Sequence, residues 1–124
     1  MGGSAIQPSL EPTMTVSLQT KISLDVIIPT HNRVSLGLLQ RTLTSLLALR
    51  PVPEMDIKIY IIANACNDNT KEIVEDYQKK SSIPIIFSEE PTIGKSFALN
   101  HGIKLGHGDW IAFFDDDEII CADW

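Results

Sequence analysis

The sequence is short of cysteine, of long apolar runs and of positive charge, and each shortage narrows what the chain can do. Only Cys66 and Cys121 occur in 124 residues, and they make no C-x-x-C pair. A reduced setting is the simplest reading. His31, His101 and His107 show no metal-ligand spacing with those cysteines, which argues against zinc. No apolar run approaches the roughly 20 residues of a membrane span. The first residues lack a basic segment followed by an apolar one, and Ile6 stands where a myristoylation signal needs Ser or Thr. Lys and Arg total 10 against 16 Asp and Glu, a net charge of −6. A nucleic-acid backbone needs a basic footprint, so it is not the expected partner. There is no G-x-S-x-G elbow, no Ser/His/Asp pattern and no internal repeat. Gly94-Lys95-Ser96 is too short to be a Walker A loop.

What is present is a small globular domain. Hydrophobic residues make up 44% of the chain, and its length suits one domain. Residues 1–22, interrupted by Gly2, Gly3, Pro8 and Pro12, are expected to form a flexible tail. Residues 23–124 alternate between two periodicities. Leu24–Pro29, Asp56–Ala63, Ile83–Phe87 and Asp109–Phe114 read as strands. Between them, Leu36, Leu39, Leu43, Leu46 and Leu47 form one apolar face, stopped by Pro51 and Pro53. Ile73, Val74 and Tyr77 form a second, in a helix opened by an Asn69/Glu72 capping box. A third helix runs from Gly94 to about Leu105. The order β-α-β-α-β-α-β with short connections predicts an α/β fold: a Rossmann-like three-layer αβα sandwich on a mainly parallel sheet, in strand order 3-2-1-4.

The richest stretch is Trp110-Ile-Ala-Phe-Phe-Asp115-Asp116-Asp117-Glu118. Five apolar residues read as a buried parallel strand, and four acids follow at its carboxyl end, the edge where open α/β sheets bind ligands. Adjacent carboxylates repel one another unless a cation intervenes. Asp115 and Asp117 are two apart, so in an extended segment they share a side. Mg²⁺ commonly takes one or two carboxylates plus substrate phosphates. Thr30-His31-Asn32-Arg33 and Asn64–Thr70 also follow strands, so three polar clusters gather at one sheet edge.

Each cluster also has a plainer reading. Residues 30–33 could be the polar first turn of a helix, Asn64 and Asp68 turn or cap residues, and 115–118 a solvated acidic loop. Lys95 could be a solvated lysine at a helix start. A cation is electrostatically misplaced there, however, and an anion at that end would relieve it.

Four segments in order resemble the family 2 inverting glycosyltransferases of the GT-A fold. They are Val26-Ile-Ile-Pro-Thr-His-Asn-Arg33, Asn64-Ala-Cys-Asn-Asp-Asn-Thr70, Glu90-Pro-Thr-Ile-Gly-Lys-Ser-Phe-Ala-Leu-Asn100 and Asp109-Trp-Ile-Ala-Phe-Phe-Asp-Asp-Asp117. The last is similar to that family's strand plus D-x-D motif. The resemblance implies transfer of a sugar from a nucleotide-sugar donor, often a UDP-sugar, to a hydroxyl of a glycan, lipid or other acceptor. It implies that Pro29, Thr30, Asn32, Arg33, Asn64, Lys95, Asp115 and Asp116 bind the nucleotide sugar. Asp117, with Asp115, is implied to hold Mg²⁺ or Mn²⁺. The chain departs from the family at Ala63-Asn64, where an acid that contacts the base is usual. The resemblance further leads to the expectation that this is the nucleotide-binding half of a GT-A domain, with the catalytic base beyond Trp124. Such a fragment is expected to be inactive alone, and the longer protein to be cytoplasmic or peripheral at the inner membrane face. The alternative is a non-catalytic nucleotide-binding remnant or interaction domain with the same fold.

Overall fold

Strand β1, Ile22–Thr30, is apolar along most of its length because the structure covers both of its faces. In the computed structural model, which describes residues 22–34, 37–49 and 53–116, seven elements are seen. After β1 come α1 (Leu38–Leu47), β2 (Met55–Asn64), α2 (Thr70–Lys80), β3 (Ile85–Glu90), α3 (Lys95–Leu105) and β4 (Trp110–Phe113). The sheet order is β3-β2-β1-β4, all parallel, as the alternating pattern predicts. The tail expected at residues 1–22 lies outside the described residues except for Ile22, which instead begins β1.

Alternate residues of the central strands feed two cores. Leu24, Val26, Ile28, Ile59 and Ile61 pack with Leu39, Leu43, Leu46 and Val74 of α1 and α2. Ile27, Tyr60 and Ile62 pack on the other face with Ala98 of α3. This period of two builds the three layers even though the strands read as unbroken apolar runs. Each fully buried Leu or Ile contributes about 1.5–3 kcal/mol of transfer free energy.

Three local expectations need correction. β3 starts at Ile85, not Ile83: Pro84 has no N–H to give a ladder, though its carbonyl accepts from the Ile59 N–H at 2.9 Å. Asn69 makes no side-chain cap; the Asp68 carboxylate instead accepts from the Thr70 N–H at 3.1 Å and from the Thr70 hydroxyl. A carboxylate suits a helix start, where backbone donors lack partners. Third, β4 is not buried. It is an outer strand of the described sheet, with Trp110, Ile111 and Phe113 exposed at 64%, 41% and 51%.

A buried carboxylate helps to seat β4. Asp25, in the middle of β1, accepts from the Gly108 N–H at 2.8 Å and so ties the α3–β4 connection to the sheet. Above it, α3 lies close to the sheet because Gly102 has no side chain: a Cβ there would stand 2.6 Å from Cγ2 of Ile27. Replacing glycine by alanine in an open helix raises stability by about 0.5–1 kcal/mol. Here the overpacking reverses that sign, and Gly102→Ala is expected to lower stability by about 1–3 kcal/mol. Urea unfolding monitored by circular dichroism measures this; an unchanged or raised midpoint would show that α3 is not held against β1.

Candidate functional site

β1 and β2 end level with one another, Thr30 beside Ala63, and β4 ends beside Ile27. The turns leaving these strands surround one cleft of about 430 Å³. Pro29, Thr30, His31, Arg33, Asn64, Ile93, Gly94, Lys95, Asp115 and Asp116 line it.

Asn64 is the brace of this edge. It is buried at the end of β2, and its amide is fully engaged. Nδ2 donates to the carbonyls of Thr92 at 2.7 Å and Glu90 at 3.2 Å, and Oδ1 accepts from the Gly94 N–H at 2.9 Å. Its own carbonyl accepts from the His31 ring Nδ1–H at 2.6 Å. One side chain thus holds the β3–α3 turn, and one carbonyl holds the β1 turn. Gly94, at φ 137°, adopts a backbone that L side chains rarely take, and the Phe97 ring fills the space where a Cβ would be. That turn delivers the N-terminus of α3 and Lys95 to the cleft.

The β1 turn is laced to the β2 turn. Asn32, at φ 51°, takes the left-handed conformation that asparagine tolerates. Its Oδ1 accepts from the Asn67 N–H at 2.9 Å, and its own N–H reaches Cys66 Sγ at 3.5 Å. Its side chain is therefore directed at the neighbouring turn, and it is not among the residues on the cleft wall. Thr30, 2% exposed, has a buried hydroxyl with no hydrogen-bond partner among the described residues. A buried polar atom left unpaired costs about 1–3 kcal/mol, a cost that the fold carries at the edge of the cleft.

The two described acids behave differently. Asp115, half exposed, pairs with the Lys95 ammonium at 2.5 Å. Asp116 is buried. Its carbonyl accepts from the Thr42 hydroxyl at 2.9 Å, and its carboxylate lies 3.6 Å from Nε of Arg33. Asp117 lies outside the described residues. Among the described residues, no three His, Cys, Asp or Glu side chains cluster as metal ligands. The donor set still fits a hard cation that takes one or two carboxylates and completes its shell with phosphate oxygens.

Sequence reasoning missed a second network behind the cleft. The Ser88 hydroxyl and His101 Nε2 are hydrogen-bonded at 2.8 Å, and His101 Nδ1 bonds the Glu90 carboxylate at 3.1 Å. The other Glu90 oxygen accepts from the Thr92 N–H at 3.0 Å. Positions 88, 90 and 101 form no motif; only the pairing of β3 with α3 brings them together. The Thr92 N–H, and then His101, hold the Glu90 carboxyl below its usual range.

A sequence model of glycosyl transferase family 2 matches residues 25–124. The chain belongs to glycosyl transferase family 2. A validoxylamine A glucosyltransferase of Streptomyces hygroscopicus subsp. limoneus is 33% identical over 92 residues, which cover 74% of this chain and 20% of that protein. A poly-beta-1,6-N-acetyl-D-glucosamine synthase of Staphylococcus epidermidis is 37% identical over 84 residues, covering 68% and 19%. This family 2 chain thus spans about a fifth of those relatives. Among solved structures, Staphylococcus aureus TarS 1-349 in complex with UDP superposes with a TM-score of 0.69 at 25% identity, over 82% of this chain and 29% of that one. A mannosyltransferase of Pyrobaculum calidifontis, solved with GDP-Man and Mn²⁺, has a TM-score of 0.66 at 23% identity, over 76% and 27%, a likeness of fold. The family 2 fold is therefore that of the GT-A enzymes. No helix among the described residues is long and apolar enough to cross a membrane.

Two outcomes follow from the braces. Asn64→Ala takes their partner from the Gly94 N–H and the Thr92 carbonyl, while the Glu90 carbonyl keeps the Ala65 N–H, so it is expected to cost about 1–3 kcal/mol in urea unfolding. A loss within error would mean that water replaces the amide freely. For Glu90 the folded-state pKa lies below the unfolded one. Its charge-dependent stabilisation is therefore complete above the unfolded carboxyl pKa of about 4.3 and is lost as pH falls through the folded value. The advantage of the native protein over Glu90→Gln in urea midpoint should shrink on acidification from about pH 6 to pH 3. A constant difference would contradict the assignment.

Proposed function

We propose that residues 23–124 form the nucleotide-sugar-binding half of a glycosyltransferase, which takes a nucleoside diphosphate sugar, a UDP-sugar, into the cleft. The sugar passes to a hydroxyl of a glycan, lipid or other acceptor. One observation carries this reading: two cations, two acids and a helix N-terminus meet in a single cleft at the carboxyl edge of a parallel sheet. The UDP complex of a protein with the same fold supports it.

In this reading the cleft residues divide the donor between them. Pro29 and Thr30 flank the nucleoside. Arg33 and Lys95 offer positive charge to the diphosphate, and the first N–H groups of α3 add the partial charge of a helix start. Asn32 and Asn64 act through the turns they brace. Asp116 orients Arg33 rather than meeting the donor, since it is buried against that side chain. Asp115 and Asp117 are the residues that would hold Mg²⁺ or Mn²⁺, which when bound neutralises charge on the leaving nucleoside diphosphate.

Calorimetric titration with UDP tests this. Binding should be tighter with Mn²⁺ or Mg²⁺ than with a chelator, because unneutralised acids repel the diphosphate. At 4 Å, two like charges cost about 4 kcal/mol at an effective dielectric of 20. Asp117→Ala should abolish the gain. Equal affinity with metal and with chelator would leave residues 115–118 as a solvated loop.

A further inference from the structure

The two ion pairs in the cleft differ in how firmly they are made. Asp116 is fixed: its carboxylate is 9% exposed, and its backbone is held by the Thr42 hydroxyl. Lys95 and Asp115 are 60% and 54% exposed, and lysine carries its charge on a flexible four-carbon stem. Asp116 therefore keeps its place in the fold whatever Arg33 does, whereas Lys95 and Asp115, both exposed, can part, and Lys95 can turn to another anion without moving the backbone. Asp115 is also a carboxylate that a divalent cation would need.

We propose that Lys95 is an exchangeable partner of Asp115 which makes cation and nucleotide bind cooperatively. The proposal rests on the reading of the cleft as a nucleoside diphosphate site. A cation arriving alone must displace Lys95 from Asp115 and leave two positive charges side by side. A diphosphate arriving alone must draw Lys95 away and leave Asp115 facing the phosphates. When both arrive, the pair is broken once: Asp115 turns to the cation and Lys95 to the diphosphate. The cost common to the two separate events is met a single time, and this saving is a coupling free energy between the ligands. It adds to the direct attraction of the cation for phosphate and grows with the strength of the Lys95–Asp115 pair. Exposed pairs of this kind correspond to factors of up to about five in an equilibrium constant. Lys95 is thus a positioning residue for the metal as well as a contact for the donor.

The experiment uses UDP and Mn²⁺ as probes. Mn²⁺ binding is followed by electron paramagnetic resonance, and UDP binding by calorimetry with Mn²⁺ or with chelator. The chains compared are the native protein, Lys95→Met, which keeps the stem and removes the charge, and Lys95→Arg, which keeps the charge. Thermal melts confirm that each is folded. The expected result is that Lys95→Met binds Mn²⁺ alone about two- to five-fold more tightly than the native protein. The factor by which Mn²⁺ tightens UDP binding should fall by at least the lower end of that range, and Lys95→Arg should retain it. A lysine that merely solvates the helix start would move neither quantity. If the native protein binds UDP more tightly with Mn²⁺ while Lys95→Met leaves both the Mn²⁺ affinity and the coupling factor unchanged, the exchange is overturned and the diphosphate reading stands. If the native protein binds no UDP under either condition, the diphosphate reading falls and the exchange falls with it.

Discussion

A strand with its peptide groups paired on both edges and apolar side chains on both faces has one place to become polar, its end. β1 is that strand. β2 takes one edge along its whole length, β4 takes the other, and helices cover both faces. The remaining elements are placed by this requirement. β2 must run parallel to β1 with its end beside Thr30, and β4 must bring its acids to the same edge. The site is therefore a consequence of the sheet: polar turns that are far apart in sequence become neighbours because parallel strands all leave the sheet on one side.

What sharpens this edge is hydrogen bonding. Asn64 spends its whole amide on the β3–α3 turn, so that turn, Lys95 and the start of α3 are held as one unit with the end of β2. Glu90 secures the same turn from the other side through Thr92, and His101 ties it to α3. Preorganisation of this sort matters for a cleft whose charges must be in place before a ligand arrives. The charges themselves are balanced locally, Lys95 with Asp115 and Arg33 with Asp116, so acids that repel one another can sit together in the folded chain.

The fold was largely legible from the sequence because its signals are periodic. The leucines of α1, the strand-then-polar-turn rhythm and the lengths of the connections together imply a parallel sheet in the order 3-2-1-4, and the sheet has that order. The membership of the polar edge was legible for the same reason. Roles within it were not. Asn64 reads as a ligand contact, but whether an amide faces a ligand or a neighbouring turn depends on where residues 90–94 lie, and no local pattern records that. Asn32 raises the same difficulty with Asn67. The apolar run of β4 suggests burial, yet exposure depends on what stands beside it, and nothing among the described residues covers that edge. The Asn69/Glu72 spacing suggests a capping box, whereas Asp68, one residue earlier, takes the Thr70 N–H because its side chain is placed for it. The Ser88–Glu90–His101 network is a product of tertiary packing alone.

The central claim is that the cleft at the carboxyl edge binds a nucleoside diphosphate together with a divalent cation. The most direct test is paramagnetic broadening of backbone amide resonances by substoichiometric Mn²⁺ in the presence of UDP. Broadening should concentrate on residues 30–33, 93–95 and 115–116 and spare the opposite end of the sheet, where Asp25, Asp56 and His107 line a smaller cavity. Broadening centred on that second group of acids, or spread evenly over the surface, would contradict the account.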